Sequence, residues 1–348
     1  MPSTITASPA FVTGGSGFIG GRLIGELVRQ GRPVRALARS PRAAEAVARL
    51  GAVPVAGDLA DRAALAEGMQ GCATVFHAAA RVALWGRRAA FARDTVQGTE
   101  NVLAAARAAG VACLVHVGTE AVLADGNPII NADETTPLPV RQNGPYPWSK
   151  GLAERAVLAA NGDGLRAISV RPRFVWGAGD TALLPRLSAA LGNPLFLWFG
   201  DRHHRMSTCH VANVVHGLKL AEAHGRGGEA YFVTDGAPVE FADFLIRLVA
   251  TQGVRARGIG APLWLADALA AVGEAAWRAL PLLPEAGPPL TRTAVNLFFR
   301  EVTVNDAKAR RELGYAPVIS IDAGLRELAA LDAAPRPVPA GTGAARPG

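Results

Sequence analysis

Two short stretches of this chain carry residue types whose spacing could do chemistry. In Tyr146-Pro-Trp-Ser-Lys150 a phenol and an ammonium stand four residues apart. On a helix that separation puts both on one face, where they can reach one place. A phenol with a pKa of about 10 is a poor proton carrier at neutral pH, but a nearby cation stabilises its phenolate. Pro147 fits the first turn of such a helix, where its missing N–H costs nothing. The second stretch is Ala10-Phe-Val-Thr-Gly-Gly-Ser-Gly-Phe-Ile-Gly20, with an apolar run ending in glycines at Gly14, Gly17 and Gly20. Between a strand and a helix, these glycines let the backbone turn sharply and approach a pyrophosphate, with the helix N-terminus facing the anion. Taken singly, each stretch has a plainer reading: a structural pair on a helix face, and an ordinary tight turn.

The elements that must position these groups follow from periodicity. After the glycines, Leu23, Ile24, Leu27 and Val28 recur at helical spacing and Gly31 stands at the stop. Strands are expected at 33–38, 53–58, 74–80, 111–117 and 165–171, with helices at 41–50, 61–70, 95–109 and 146–160 between them. Residues 124–145, rich in Asn, Asp and Pro, read as a loop. Strands that are apolar almost throughout and alternate with helices indicate a parallel sheet covered on both faces. Beyond Pro172 the alternation decays. Helices are expected at 183–191, 211–223 and 241–250, a strand at 230–234, and an amphipathic helix across 262–283 whose Asp267, Glu274 and Arg278 argue against a membrane span. The fold expected is α/β: a doubly wound parallel sheet of the Rossmann kind with a smaller, mixed α/β C-terminal lobe. A dinucleotide-binding domain is expected over 8–176, with 208–235 returning to it. A substrate lobe is expected over 177–207 and 236–331, and a flexible tail over 332–348.

Composition narrows the function. Half of the 348 residues are hydrophobic and 19% are charged, which is globular composition. The formal net charge is +7, yet no basic run interleaved with aromatics suggests a nucleic-acid surface. Cys72, Cys113 and Cys209 are odd in number and far apart, so neither a disulfide framework nor a metal site is expected, and a reducing cytoplasm is. The N-terminal residues lack a basic region followed by a long apolar core, so no signal peptide is expected. No His, Cys or carboxylate cluster has metal-ligand spacing.

A fold that prefers NAD usually places an acidic side chain about twenty residues after the glycines. Here the second strand ends Ala36-Leu-Ala-Arg39-Ser-Pro-Arg42. A guanidinium there suits the 2′-phosphate of NADP, so NADP(H) is favoured and NAD(H) remains possible. Arg39 is the first candidate and Arg42 the second, against the alternative of two solvated loop charges. Asp58 could accept a bond from the adenine amino group, or could merely cap the next turn. Trp85 and Trp148 are the chosen lining residues of an apolar substrate pocket, with Trp176, Trp198 and Phe199 weighed beside them. His203 and His204 read as solvated loop histidines.

The order of these parts resembles the extended short-chain dehydrogenase/reductases, over about residues 10–330. The parts are the glycine turn, Asp58, the small residues after the fourth strand, Thr119, Tyr-x-x-x-Lys and Arg171-Pro172. The resemblance implies that Tyr146 is the general acid–base, that Lys150 binds the nicotinamide ribose, and that Thr119 orients the reacting carbonyl. It implies cofactor contacts at Gly14, Gly17, Phe18, Ile19, Gly20, Arg39, Arg42, Asp58, Leu59, Ala78, Ala79, Ala80, Lys150 and Pro172. Glu120, Trp85, Trp148 and Arg173 are the candidates for touching substrate.

Two departures from the family pattern matter. Thr95 stands where an Asn is frequent, and it could bond the backbone between strands less well. Met206 stands where sugar-nucleotide epimerases and dehydratases tend to carry an Arg, with Arg205 one residue out of register. The segments 171–180, 231–239 and 301–315 are similar instead to the 3β-hydroxysteroid dehydrogenase branch, which includes sterol carboxylate dehydrogenases and 2-alkyl-3-oxoalkanoate reductases. The expected activity is an NADP(H)-dependent interconversion of a secondary alcohol and a ketone on a hydrophobic, steroid-like or 3-oxoacyl-like substrate. The alternatives are an epimerase or dehydratase of sugar nucleotides and a non-catalytic NADP-binding regulator. A small-molecule partner is expected, without nucleic acid or membrane, in a possible homodimer.

Overall fold

The computed structural model describes residues 8–280 and 287–333; most of the expected tail lies outside them. Seven strands form one sheet: β1 (Ala10–Thr13), β2 (Val34–Ala38), β3 (Val53–Ala56), β4 (Thr74–His77), β5 (Cys113–Val117), β6 (Arg166–Pro172) and β7 (Ala230–Val233). Their order is β7-β6-β5-β4-β1-β2-β3, and every pairing is parallel. β1 and β4 to β7 are buried on both faces almost throughout, as their unbroken apolar runs require. The helix Phe18–Arg29 turns Gly20, Leu23, Ile24 and Leu27 inward, and Gly31 ends it at φ +76°. Chain order reverses between β1 and β4, which leaves a crevice at the carboxyl ends of the strands.

The helix expected over 95–109 begins at Arg88, passes through a π-helical segment at Ala92–Gln97, and continues from Gly98 to Ala108. The bulge has local anchors. Thr95 Oγ1 accepts the Arg81 N–H at 3.1 Å, and a Cβ on Gly98 would strike the Leu59 side chain at 2.7 Å. Thr95 thus bonds the backbone of the loop after β4. Residues 124–145 are not all loop. Ile129–Ala132 joins a four-stranded sheet with Val302–Val304, Arg205–Met206 and Val239–Glu240. These strands are too short to show a period of two, which is why the sequence reads them as irregular.

A second core lies in the C-terminal part. Phe174 meets Phe241, Phe244 and Phe298 edge-on at 5.0, 5.9 and 6.2 Å between ring centroids. The helix Leu263–Ala279 covers the amphipathic segment expected at 262–283, of which 281–286 fall outside the described residues. No helix among the described residues is long and apolar enough to cross a membrane.

Candidate active site

The glycine turn has the geometry its spacing predicts. Gly14 sits at φ +73°, and a Cβ there would meet the backbone of Ala78 and Ala79 at 2.8 Å. A Cβ on Gly20 would collide with the Gly14 carbonyl oxygen. The cap residue Gly17 offers no side-chain acceptor to the first turn of the helix Phe18–Arg29. The first-turn N–H groups thus have no side-chain cap, and Ser16 and Gly17 are exposed. This cradle fits a dinucleotide pyrophosphate. Ala78, Ala79 and Ala80 follow β4 beside it, half-buried, and Pro172 ends β6. Arg39 and Arg42 are exposed just past β2, free to grip a phosphate. Asp58 caps its own turn: Oδ1 accepts from Ala60 N–H at 2.8 Å and Asp61 N–H at 3.2 Å. Leu59 packs against Gly98.

At β5 the chain runs from Val117 through Gly118 into Thr119, which caps a short 3₁₀ turn by accepting the Ala121 N–H at 3.2 Å. The helix Pro145–Ala159 carries Tyr146 and Lys150 to the same edge. Burial, with the Glu120 carboxylate beside it, pushes the Tyr146 phenol up to about 12; the Thr119 hydroxyl and the Arg173 charge act the other way. Thr119 donates its own hydroxyl proton to Glu120 at 2.8 Å, and Glu120 pairs with Arg173 at 3.2 Å. Both members of that ion pair are at most 4% exposed. Glu120 and Arg173, each expected to touch substrate, are thus partners of one another.

Lys150 differs from expectation. Its ammonium donates to the Val117 carbonyl at 2.7 Å and to His116 Nε2 at 3.2 Å, and these are the hydrogen-bond partners found for it among the described residues, rather than the phenol. The helix face brings the two side chains to one edge, but the lysine extends beneath β5. Burial lowers its pKa to about 8, while Glu154 one turn on supports the charge. Glu154 is itself fully buried. It takes Arg171 through both oxygens, at 2.9 and 2.7 Å, and the Ser169 hydroxyl at 2.8 Å.

Sequence reasoning missed the histidines beneath the site. His116 pairs in register with His77 of β4, their rings 5.3 Å apart. His77 lies between the Thr13 and Thr99 hydroxyls at 2.7 and 2.9 Å, and burial drives its pKa down to about 3. The available signal was a polar side chain inside each of two apolar strands.

Other candidates separate. Trp148 lies under Arg88 and Trp85 under Arg278, at 5.2 and 5.3 Å from ring centroid to guanidinium carbon. Neither lines the apolar cavity of about 430 Å³ in the C-terminal part, whereas Trp198 and Phe199 do. Trp176 is core, its indole N–H bonded to Asp235 at 2.7 Å. His204 is not a solvated loop residue. It lines that cavity, contacts the Phe298 carbonyl at 3.1 Å, and has its pKa lowered by burial. His203 remains exposed. Arg205 is exposed and donates to the Pro238 carbonyl, while Met206 is buried beside Arg173. The described residues contain no group of three or more His, Cys, Asp or Glu able to hold a metal.

A parallel sheet with a glycine cradle and a Tyr-x-x-x-Lys helix at its carboxyl edge defines an extended short-chain dehydrogenase/reductase. The chain belongs to the 3-beta hydroxysteroid dehydrogenase/isomerase family, whose sequence model matches residues 11–263. It is 51% identical to a 4-hydroxy-2-methyl-3-oxo-4-farnesyl-3,4-dihydroquinoline-1-oxide ketoreductase of Stigmatella aurantiaca, over 96% of this chain and 98% of that one. It is 35% identical to a 2-alkyl-3-oxoalkanoate reductase of Stenotrophomonas maltophilia, over 93% and 99%. A solved dTDP-glucose 4,6-dehydratase from Streptomyces venezuelae with NAD bound shares the fold, at TM-score 0.69 and 23% identity, over 92% of this chain and 95% of that one. The protein is an oxidoreductase of this family.

Proposed function

We propose that the protein interconverts a secondary alcohol and a ketone on a hydrophobic substrate, with NADP(H) as cofactor and Tyr146 as general acid–base. The observation that carries this reading is the Tyr146 phenol beside the Thr119 hydroxyl, on the same carboxyl edge as the glycine cradle. The dinucleotide, bound at that cradle, supplies or takes up the hydride. Arg39, with Arg42 behind it, holds the 2′-phosphate. When substrate binds, the Thr119 hydroxyl turns its one proton from Glu120 to the substrate oxygen, which it holds together with the Tyr146 phenol. With its pKa raised to about 12, the phenol stays protonated at neutral pH and is ready to protonate a forming alkoxide. Lys150 spends two of its three donors on Val117 and His116 and keeps the third for a sugar hydroxyl. In this division of labour residues 8–176 with 208–235 bind the nucleotide, and residues 177–207 and 236–331 bind substrate.

The ketoreductase and oxoalkanoate reductase relatives support a ketone on an apolar skeleton. Met206, buried beside Arg173 at the position where sugar-nucleotide enzymes tend to carry an Arg, weighs against a diphosphate grip. The test is absorbance at the reduced nicotinamide band, with NADPH and NADH side by side, against steroid ketones, 3-oxo acids and sugar nucleotides. Oxidation of NADPH by an apolar ketone is expected. Tyr146→Phe should lower turnover by roughly 10²–10⁴-fold and keep NADPH affinity. Unchanged turnover would sink the assignment.

A further inference from the structure

The cavity of about 430 Å³ lies beyond the catalytic cluster. Leu183, Leu187 and Leu191, one turn apart on one helix, form one wall, and Leu245 of the helix Phe241–Ala250 faces the same space. Its volume falls within the roughly 300–1,000 Å³ typical of small-molecule sites. Its charge-bearing lining residues are two. His204 is half-buried, which lowers its pKa, and Arg202 is exposed. Away from those two residues, a ligand part carrying hydroxyl, carboxyl or phosphate groups would be left unpaired, which is costly. Hydrocarbon alone suits the space.

Position ties the cavity to the chemistry. Phe298 lines it, and that ring's centroid is 5.9 Å from the Arg173 guanidinium carbon. Arg173 in turn pairs with Glu120, the neighbour of Thr119. Phe298, Arg173 and Glu120, each against the next, therefore link the cavity wall to Thr119.

We propose that this cavity holds the hydrocarbon tail of the ketone substrate, an alkyl or isoprenoid chain whose oxygenated head reaches Tyr146 past Phe298. The proposal rests on the reductase reading. It makes chain length, rather than head-group contacts, the main source of selectivity.

The experiment measures NADPH oxidation with a homologous series of methyl ketones, from 2-butanone to 2-pentadecanone, using the full-length protein. The ratio kcat/KM should rise about fourfold per methylene, equivalent to ~0.8 kcal/mol, and level off once the cavity is full. In Leu187→Trp the plateau should arrive at a shorter chain. Ala294→Leu, on another wall, should act in the same direction, and a retained melting midpoint shows that each variant folds. If NADPH is consumed equally at every chain length, or both variants keep the parent plateau, the tail site is wrong and the reductase reading stands. If no ketone of this series or of the panel above consumes NADPH, the reductase reading falls and the tail site falls with it.

Discussion

Replacing Glu120 by glutamine removes a negative charge beside the Thr119 and Tyr146 hydroxyls without changing the shape of the side chain. Glu120 and Arg173 are 3.2 Å apart and almost wholly buried. At an effective dielectric of about 20 their attraction is about 5 kcal/mol. Removing one member of a buried pair costs about 3–5 kcal/mol, because the other charge is left without compensation. The Arg173 guanidinium keeps its bond to the Leu297 carbonyl, but a carbonyl is no counter-charge. The second consequence is electrostatic. The carboxylate raises the Tyr146 pKa and Arg173 lowers it, so the variant loses the first influence and keeps the second. Alcohol oxidation needs the phenolate, so its rate climbs with pH toward the phenol pKa, and that climb should move to lower pH in Glu120→Gln. Each unit moved corresponds to about 1.4 kcal/mol. Urea denaturation reads the stability, and oxidation rates across pH read the phenol. Arg173→Met should move the climb the opposite way, and the double variant should regain part of the lost stability. Additive losses in the double variant, with the pH profile unmoved in all three, would refute the reasoning.

Four further outcomes are expected. Gly20→Ala puts a methyl group against the Gly14 carbonyl and should weaken NADPH binding at least tenfold; unaltered affinity in a binding titration would contradict the cradle geometry. With the Lys150 pKa lowered to about 8, a step that needs its ammonium should run fully below that pH and decline above it, and Lys150→Met should erase the decline. The sign for stability is opposite. Between about 8 and the usual 10.5 the unfolded chain binds more protons at this site than the folded one, so the lysine's contribution to stability increases as pH rises through that window. Glu154→Gln strands the buried Arg171 and should cost about 3–5 kcal/mol in denaturant unfolding, while pushing the Lys150 decline to lower pH. Arg39→Asp should raise KM for NADPH and lower it for NADH; an unchanged ratio in paired assays would show that neither the 2′-phosphate nor the ribose meets that position.

The glycine turn and the Tyr-x-x-x-Lys helix were legible because their logic is local. Glycines at 14, 17 and 20 and the four-residue step from Tyr146 to Lys150 express the geometry of one turn and one helix. The destination of the lysine was not legible. An i, i+4 rule states which face a side chain leaves from, and the acceptors that draw Lys150 under β5 lie 33 and 34 residues away. His204 misled in the same way: a charged neighbourhood in sequence reads as solvent, but Phe298, 94 residues on, covers it.

By itself the sequence determined the alternation of strands and helices, the glycine cradle, the Tyr-x-x-x-Lys helix and the absence of an acidic residue after β2. Each is a matter of periodicity or of one residue's conformational freedom, decided within a few neighbours. Tertiary structure alone decided that Glu120 and Arg173 neutralise each other beside Tyr146, that Glu154 and Arg171 do so beneath Lys150, and that leucines and aromatics from five segments enclose one cavity. Charge pairing and enclosure depend on distance in space, and only the packed sheet and its second core bring those side chains together.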